Sequence, residues 1–215
     1  KYSYNFNWLS RPIIQYPQDI VATQEIIWEV KPDLIIETGI AHGGSLVLSA
    51  SLLALLDYND AYENGEKLNP KKPKRKVIGI DVDIREHNLN ALNKHPMRNR
   101  MELIEGSSTD PSIITKVHEL SKNYSRIMVF LDSNHSHKHV LEELKAYAPL
   151  VSQGSYCVVF DSVIEDFPAD YDFDRPWGLG NNPKTALWEF IKNYPEFEID
   201  HSIQNKLLIT VAPDG

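Results

Sequence analysis

Asp33-Leu-Ile-Ile-Glu-Thr-Gly-Ile-Ala-His-Gly-Gly-Ser45 reads as three pieces of local structure in succession. A short apolar run ends at Glu37, Gly39 supplies a tight turn, and Gly43 and Gly44 open a long helical pattern. Strand, glycine turn and helix N-terminus together make the seat of a nucleotide-like ligand in an α/β fold. The acid at the strand tip narrows the ligand, because a loop built for phosphate avoids negative charge there. Hydroxyls and an amino group suit it better.

Outward from this stretch, short apolar runs alternate with longer helical patterns. The runs predict strands at 33–38, 76–81, 101–105, 126–132, 155–161, 197–202 and 206–211. Helices are expected near 44–56, 85–94, 111–122 and 137–150, and again over 183–193. Val140, Leu141, Leu144 and Ala148 show the helical period, and Asp110-Pro111 offers an N-cap followed by proline at the first helical position. Alternation of this kind implies a parallel sheet with helices on both faces. Residues 203–205 are too few for a crossover, so the last two strands must form an antiparallel hairpin. The expected fold is α/β and Rossmann-like: a class I methyltransferase with a seven-stranded, mostly parallel sheet closed by a C-terminal hairpin. Residues 1–215 read as one domain. Residues 1–16 form an aromatic-rich extension, a cover over the site or an oligomer contact. Residues 162–182, with Glu165, Asp166, Asp170, Tyr171, Asp172, Asp174 and Trp177, form a long connection that reads as a lid with a sugar-stacking surface, or as a disordered or ordinary solvated loop with Trp177 tucked under it. S-adenosylmethionine is the nucleoside that suits this fold and the acidic strand tip better than NAD or ATP.

Composition excludes several classes. Acidic residues number 30 against 22 Lys plus Arg, which disfavours nucleic acid as a partner. The basic run Lys71-Lys72-Pro73-Lys74-Arg75-Lys76 reads as a solvated loop before a strand. No apolar stretch reaches the ~18 residues of a membrane span. Cys157 is the only cysteine, so no internal disulfide forms, in agreement with a reducing, cytoplasmic location.

The expected strands end in Glu37, Asp81, Glu105, Asp132 and Asp161, at the sheet edge where ligands of open α/β folds bind. An unpaired carboxylate cluster is costly, so a cationic or hydroxyl-rich ligand is expected there. Asp81 is placed to accept from ribose hydroxyls, with Gly79 easing close approach, and Ser107 and Ser108 to reach the adenine, unless Ser108 or Thr109 simply caps a helix. In Leu131-Asp-Ser-Asn-His135, Asp132 leaves an apolar strand and His135 follows three residues later. A carboxylate pair, Asp132 and Asp161, can hold Mg²⁺, and a neutral imidazole can take a proton from a substrate hydroxyl. A bridging cation would make that hydroxyl easier to ionise. A two-His-one-carboxylate iron centre is the rival reading, although His137 and His139 read as exposed structural residues.

Glu-Thr-Gly at 37–39, His-Gly-Gly-Ser at 42–45, Gly-Ile-Asp at 79–81, Glu-Gly-Ser-Ser at 105–108 and Leu-Asp-Ser-Asn-His at 131–135 together resemble the cephalosporin hydroxylase family. Despite its name, that family is similar to S-adenosylmethionine- and metal-dependent O-methyltransferases of rhamnosyl groups and macrolide sugars. The resemblance implies that Glu37, Gly39, Ser45, Asp81 and Ser108 contact the cofactor; His42, Gly43, Ser107 and Asp132 complete the expected set. It further implies Asp132 and Asp161 as Mg²⁺ ligands, His135 as general base, a sugar or glycosylated small molecule as acceptor, and a tendency to self-assemble. Relatives carry an acid immediately before the residue matching Asp161, where this chain has Phe160; either a water or Ser162 completes the shell, or metal affinity is reduced. Alternatives are a 2-oxoglutarate- and iron-dependent hydroxylase and a catalytically silent nucleotide-binding module.

Overall fold

The structure is a computed structural model that describes residues 2–171 and 174–215. After a 3₁₀ turn at Tyr2–Asn5, strands β1 (Phe6–Trp8) and β2 (Arg11–Ile13) pair as a small antiparallel hairpin. Helix α1 (Pro17–Val30) leads to β3 (Leu34–Thr38), α2 (Gly44–Asn64), β4 (Lys76–Asp81), α3 (Glu86–Asn93), β5 (Met101–Glu105), α4 (Pro111–Ser121), β6 (Ile127–Leu131), α5 (His137–Tyr147), β7 (Cys157–Val159), α6 (Pro183–Asn193) and α7 (His201–Leu207).

The main sheet has five strands in the order β5-β4-β3-β6-β7, all parallel. Central strands β3 and β6 are buried at every position, as parallel strands covered on both faces must be. Their side chains alternate between two cores. Ile35, Met128 and Phe130 join Ile26, Leu46, Leu53 and Leu92 of α1, α2 and α3. Leu34, Ile36, Val129 and Leu131 meet Val117, Leu144, Leu187 and Phe190 of α4, α5 and α6. The chain leaves β3 toward β4 on one side and returns to β6 on the other. The ends of β3 and β6 therefore flank the switch-point crevice where such sheets bind ligands.

Among the described residues the main sheet has five strands, not seven, and the C-terminal hairpin is not found. Residues expected as its first strand lead instead into α7, whose N-cap Asp200 accepts from the Ser202 amide at 2.9 Å. Leu208, at φ +65°, ends that helix. Cys157–Val159 is the open edge of the sheet, and the antiparallel pair lies at the other end of the chain. Helix α1 was not expected. Two polar residues on its buried side, Asp19 and Thr23, interrupt the apolar stripe; Asp19 accepts from Thr210 and the Val211 amide. In the basic run Lys71, Lys72 and Lys74 are exposed, Pro73 and Lys76 are half-buried, and Arg75 is buried, pairing with Asp57 at 2.7 Å beside Arg100. Among the described residues no helix is long and apolar enough to cross a membrane.

Gly39 is where the strand ends meet. At φ +89°, a Cβ there would overlap the backbone carbonyl of Asp132. Gly39→Ala is expected to cost more than about 2 kcal/mol, since overlap with backbone adds to the left-handed penalty. Gly65→Ala, at φ +65° with open space around it, carries only that penalty. Chemical denaturation of the two variants measures the difference.

Candidate active site

The glycine turn is held from three directions. Asp81 Oδ2, at the tip of β4, accepts the amides of Ile40 at 2.8 Å and Ala41 at 3.0 Å. From the N-terminal hairpin, Arg11 Nε donates to the His42 carbonyl at 2.9 Å and its Nη2 to Asn88 Oδ1 at 2.7 Å. Asn88, buried on α3, donates in turn to the Ala41 carbonyl at 2.9 Å. These contacts hold Ala41 at φ +46° and set Gly43, at φ +82°, as the N-cap of α2. Arg11 and Asn88 escaped the sequence reading, because nothing in the aromatic segment or in α3 marks them as loop partners. Gly79 serves packing instead of ligand approach, since a Cβ there would come within 2.8 Å of Leu46 Cδ1.

Glu37 lies inside the turn, 1 % exposed, accepting from Ser45 Oγ and, at 3.2 Å, from Ser49 Oγ. Burial pushes its carboxyl up to about 7 against the two serine hydrogen bonds. Asp132, one residue past β6, is held well above the usual carboxylate range, first by burial and then by Asp161, Glu37 and Glu143. Asp161 is raised by burial and drawn back by His135. It sits at φ +54°, a left-handed conformation that asparagine and aspartate tolerate best and that gathers at functional sites. His135 Nε2 lies 3.4 Å from Asp161 Oδ2, and one ligand atom from each of Asp132, His135 and Asp161 falls within 4.8 Å of the others. Glu105, by contrast, is exposed at the end of the outer strand β5 and stays apart from this group.

The other expected residues are placed as follows. Ser107 bonds Thr109 at 3.0 Å, and Asp110 caps α4, so neither Ser108 nor Thr109 does. Ser108 Oγ lies 3.1 Å from His139 Nε2, which is 3.2 Å from Ser133 Oγ; Ser133 donates to the fully buried Glu143 at 2.6 Å. His137 bridges to Thr185 and Glu189 of α6. Both histidines are therefore structural, partly buried, and outside the Asp132–His135–Asp161 group. Ser162, expected as a spare ligand, donates its hydroxyl to the Pro213 carbonyl at 2.7 Å. Trp177, in the connection 162–182, meets the His135 ring edge-on at 4.9 Å, and Arg175 Cζ lies over the Trp177 ring at 5.8 Å from its centroid. Within that connection Glu165 accepts from the Gly180 amide at 2.8 Å and from the side chain of Asn182, the N-cap of α6. Asp172 lies outside the described residues.

A model of the family described as "Rhamnosyl O-methyltransferase/CmcI" matches residues 1–215. The chain belongs to this family. The rhamnosyl O-methyltransferase of Mycobacterium tuberculosis (strain ATCC 25618 / H37Rv) is 34% identical over 195 residues, covering 89% of this chain and 69% of the relative. That of Mycobacterium leprae (strain TN) is 29% identical over 210 residues, 97% of this chain and 80% of the relative. Among solved structures, a CmcI chain with Mg and SAM superposes with a TM-score of 0.61 at 17% identity, over 98% of this chain and 74% of that one. At that identity the likeness is one of fold.

An acid whose folded-state value exceeds its unfolded value holds its proton more tightly in the folded chain. Glu37 therefore favours folding below about 4.5, and that contribution disappears as pH climbs through about 7. In ligand-free protein, raising the pH from 5 to 8 is expected to cost the wild type roughly 3 kcal/mol more than Glu37→Gln, read from urea unfolding at both pH values.

Proposed function

We propose that this chain is an S-adenosylmethionine-dependent O-methyltransferase that methylates a hydroxyl of a sugar or glycosylated small molecule with help from Mg²⁺. The observation that carries the reading is the convergence of Asp132, His135 and Asp161 within 4.8 Å beside the glycine turn. The membership of the family, and the rhamnosyl O-methyltransferase names of its relatives, support a sugar acceptor. The acidic balance, net −8, argues against nucleic acid.

The residues fit both groups. Glu37, Asp132 and Asp161 have no lysine or arginine paired with them among the described residues, so a cation relieves their mutual repulsion. Asp132 and Asp161 would hold it. Gly39, His42, Gly43 and Ser45 would line the nucleoside's seat, with Asp81 on the ribose side and Ser107 and Ser108 toward the base. When bound, the sulfonium cofactor supplies the methyl group and the cation supplies Lewis-acid stabilisation of the acceptor oxygen. His135 takes the acceptor's proton, with Asp161 orienting the imidazole through Nε2 and leaving Nδ1 free to accept it. Trp177 covers the imidazole and presents an aromatic surface where a sugar would lie.

Two other readings are weaker. A 2-oxoglutarate hydroxylase is built on an antiparallel β architecture, whereas this sheet is parallel and helix-covered. A silent binding module leaves the gathered catalytic group unexplained.

The test pairs calorimetry with turnover on a rhamnosylated acceptor. His135→Ala is expected to lower transfer at least about 100-fold while S-adenosylmethionine affinity stays within about twofold. Unchanged turnover sinks the base assignment; absence of cofactor binding by the wild type sinks the whole reading.

A further inference from the structure

Asp132 and Asp161 offer a divalent cation two carboxylates, and hard cations take more oxygen than that. The sequence neighbours of Asp161 do not add any. Phe160 is an apolar ring packed edge-on against Phe130 at 6.0 Å, and the Ser162 hydroxyl is committed to Pro213. Gln15 is placed differently. It follows β2, is 4 % exposed, and donates through Nε2 to Asp132 Oδ2 at 3.3 Å. Its other amide atom, Oε1, is buried with no hydrogen-bond partner. Gln15 also shares with Glu37, Asp132 and Phe160 the wall of one small cavity. Leaving an amide oxygen buried without a donor costs roughly 1–3 kcal/mol, and folded proteins keep such groups few.

We infer that Gln15 is the third protein ligand of the divalent-cation site, turning Oε1 toward a cation held by Asp132 and Asp161. The inference rests on the cation-assisted reading above. The two ends of an amide have nearly the same shape, so a half-turn of the side chain exchanges them without disturbing the packing. In the cation-free chain Nε2 faces Asp132 and softens its charge. With a cation present, Oε1 supplies a neutral oxygen of the kind hard cations accept from Asn and Gln. Two carboxylates and one amide balance a dication without adding another anion beside the buried Glu37. Phe160 can therefore be apolar without emptying the site.

Free Mn²⁺ followed by electron paramagnetic resonance, with Mg²⁺ as competitor, tests this without reference to activity. Gln15→Leu is expected to weaken both cations roughly tenfold or more, given that even outer-shell partners are worth that much. Gln15→Glu is expected to tighten both, because a carboxylate replaces the amide oxygen. Equal affinity in wild type and a folded Gln15→Leu overturns the inference. Should Gln15→Leu fail to fold, Gln15→Glu decides alone, and unchanged or weaker binding overturns it. Failure of the wild type to bind either cation removes the cation-assisted reading and this inference together. Equal affinity in all three proteins removes only the assignment of Gln15.

Discussion

The structure turns on carboxyl groups held close together at one edge of a parallel sheet. Glu37, Asp132 and Asp161 come from three adjacent strands, and each keeps its proton more readily than it would in water. Parallel pairing causes this, because it aligns the carboxyl ends of the strands and lets the chain place one acid at each. Burial of all three, with like-charge repulsion added at Asp132, makes the ionised group costly unless something positive arrives. The same arrangement that makes the ionised cluster costly favours a positively charged ligand there.

Much of this was legible in the sequence. Strands β4 and β5 and helix α6 fall where the pattern put them, because short apolar-rich runs and the Asn182-Pro183 cap leave little alternative. The gathering of Asp132, His135 and Asp161 was also readable, since topology alone brings the ends of β6 and β7 together. The C-terminal segment was not. The pattern in Phe197–Ser202 suggests a strand, yet Asp200 with Ser202 is also a helix cap, and local sequence cannot choose between them. Helix α1 hid for a related reason: Asp19 belongs to its buried side only because Thr210 and Val211 come to meet it from the far end of the chain.

Side-chain roles were less readable than positions. Asp81 was expected to face a ribose, and both of its carboxyl oxygens accept from backbone: Oδ2 from the glycine turn, and Oδ1 from the Asp83 amide at 3.1 Å. Any ligand contact it makes is therefore added to a structural duty. Gln15 gave no sign at all, because a glutamine before a Tyr-Pro helix start looks like a surface residue. Its significance appears only when its burial and its distance to Asp132 are known.

The grip of Arg11 and Asn88 on the glycine turn bears on how the domain acquires its activity. Arg11 reaches His42 across 31 positions and Asn88 across 77, so the loop is shaped by segments that meet late. Contacts of such long sequence separation form slowly, after most loop-closure entropy has been lost. A partly folded chain could own a complete β3 and α2 and still lack a formed nucleoside seat. A formed glycine turn thus reports completed folding of the whole domain, and clipping of the first dozen residues would release it even with Glu37, Asp132 and Asp161 in place.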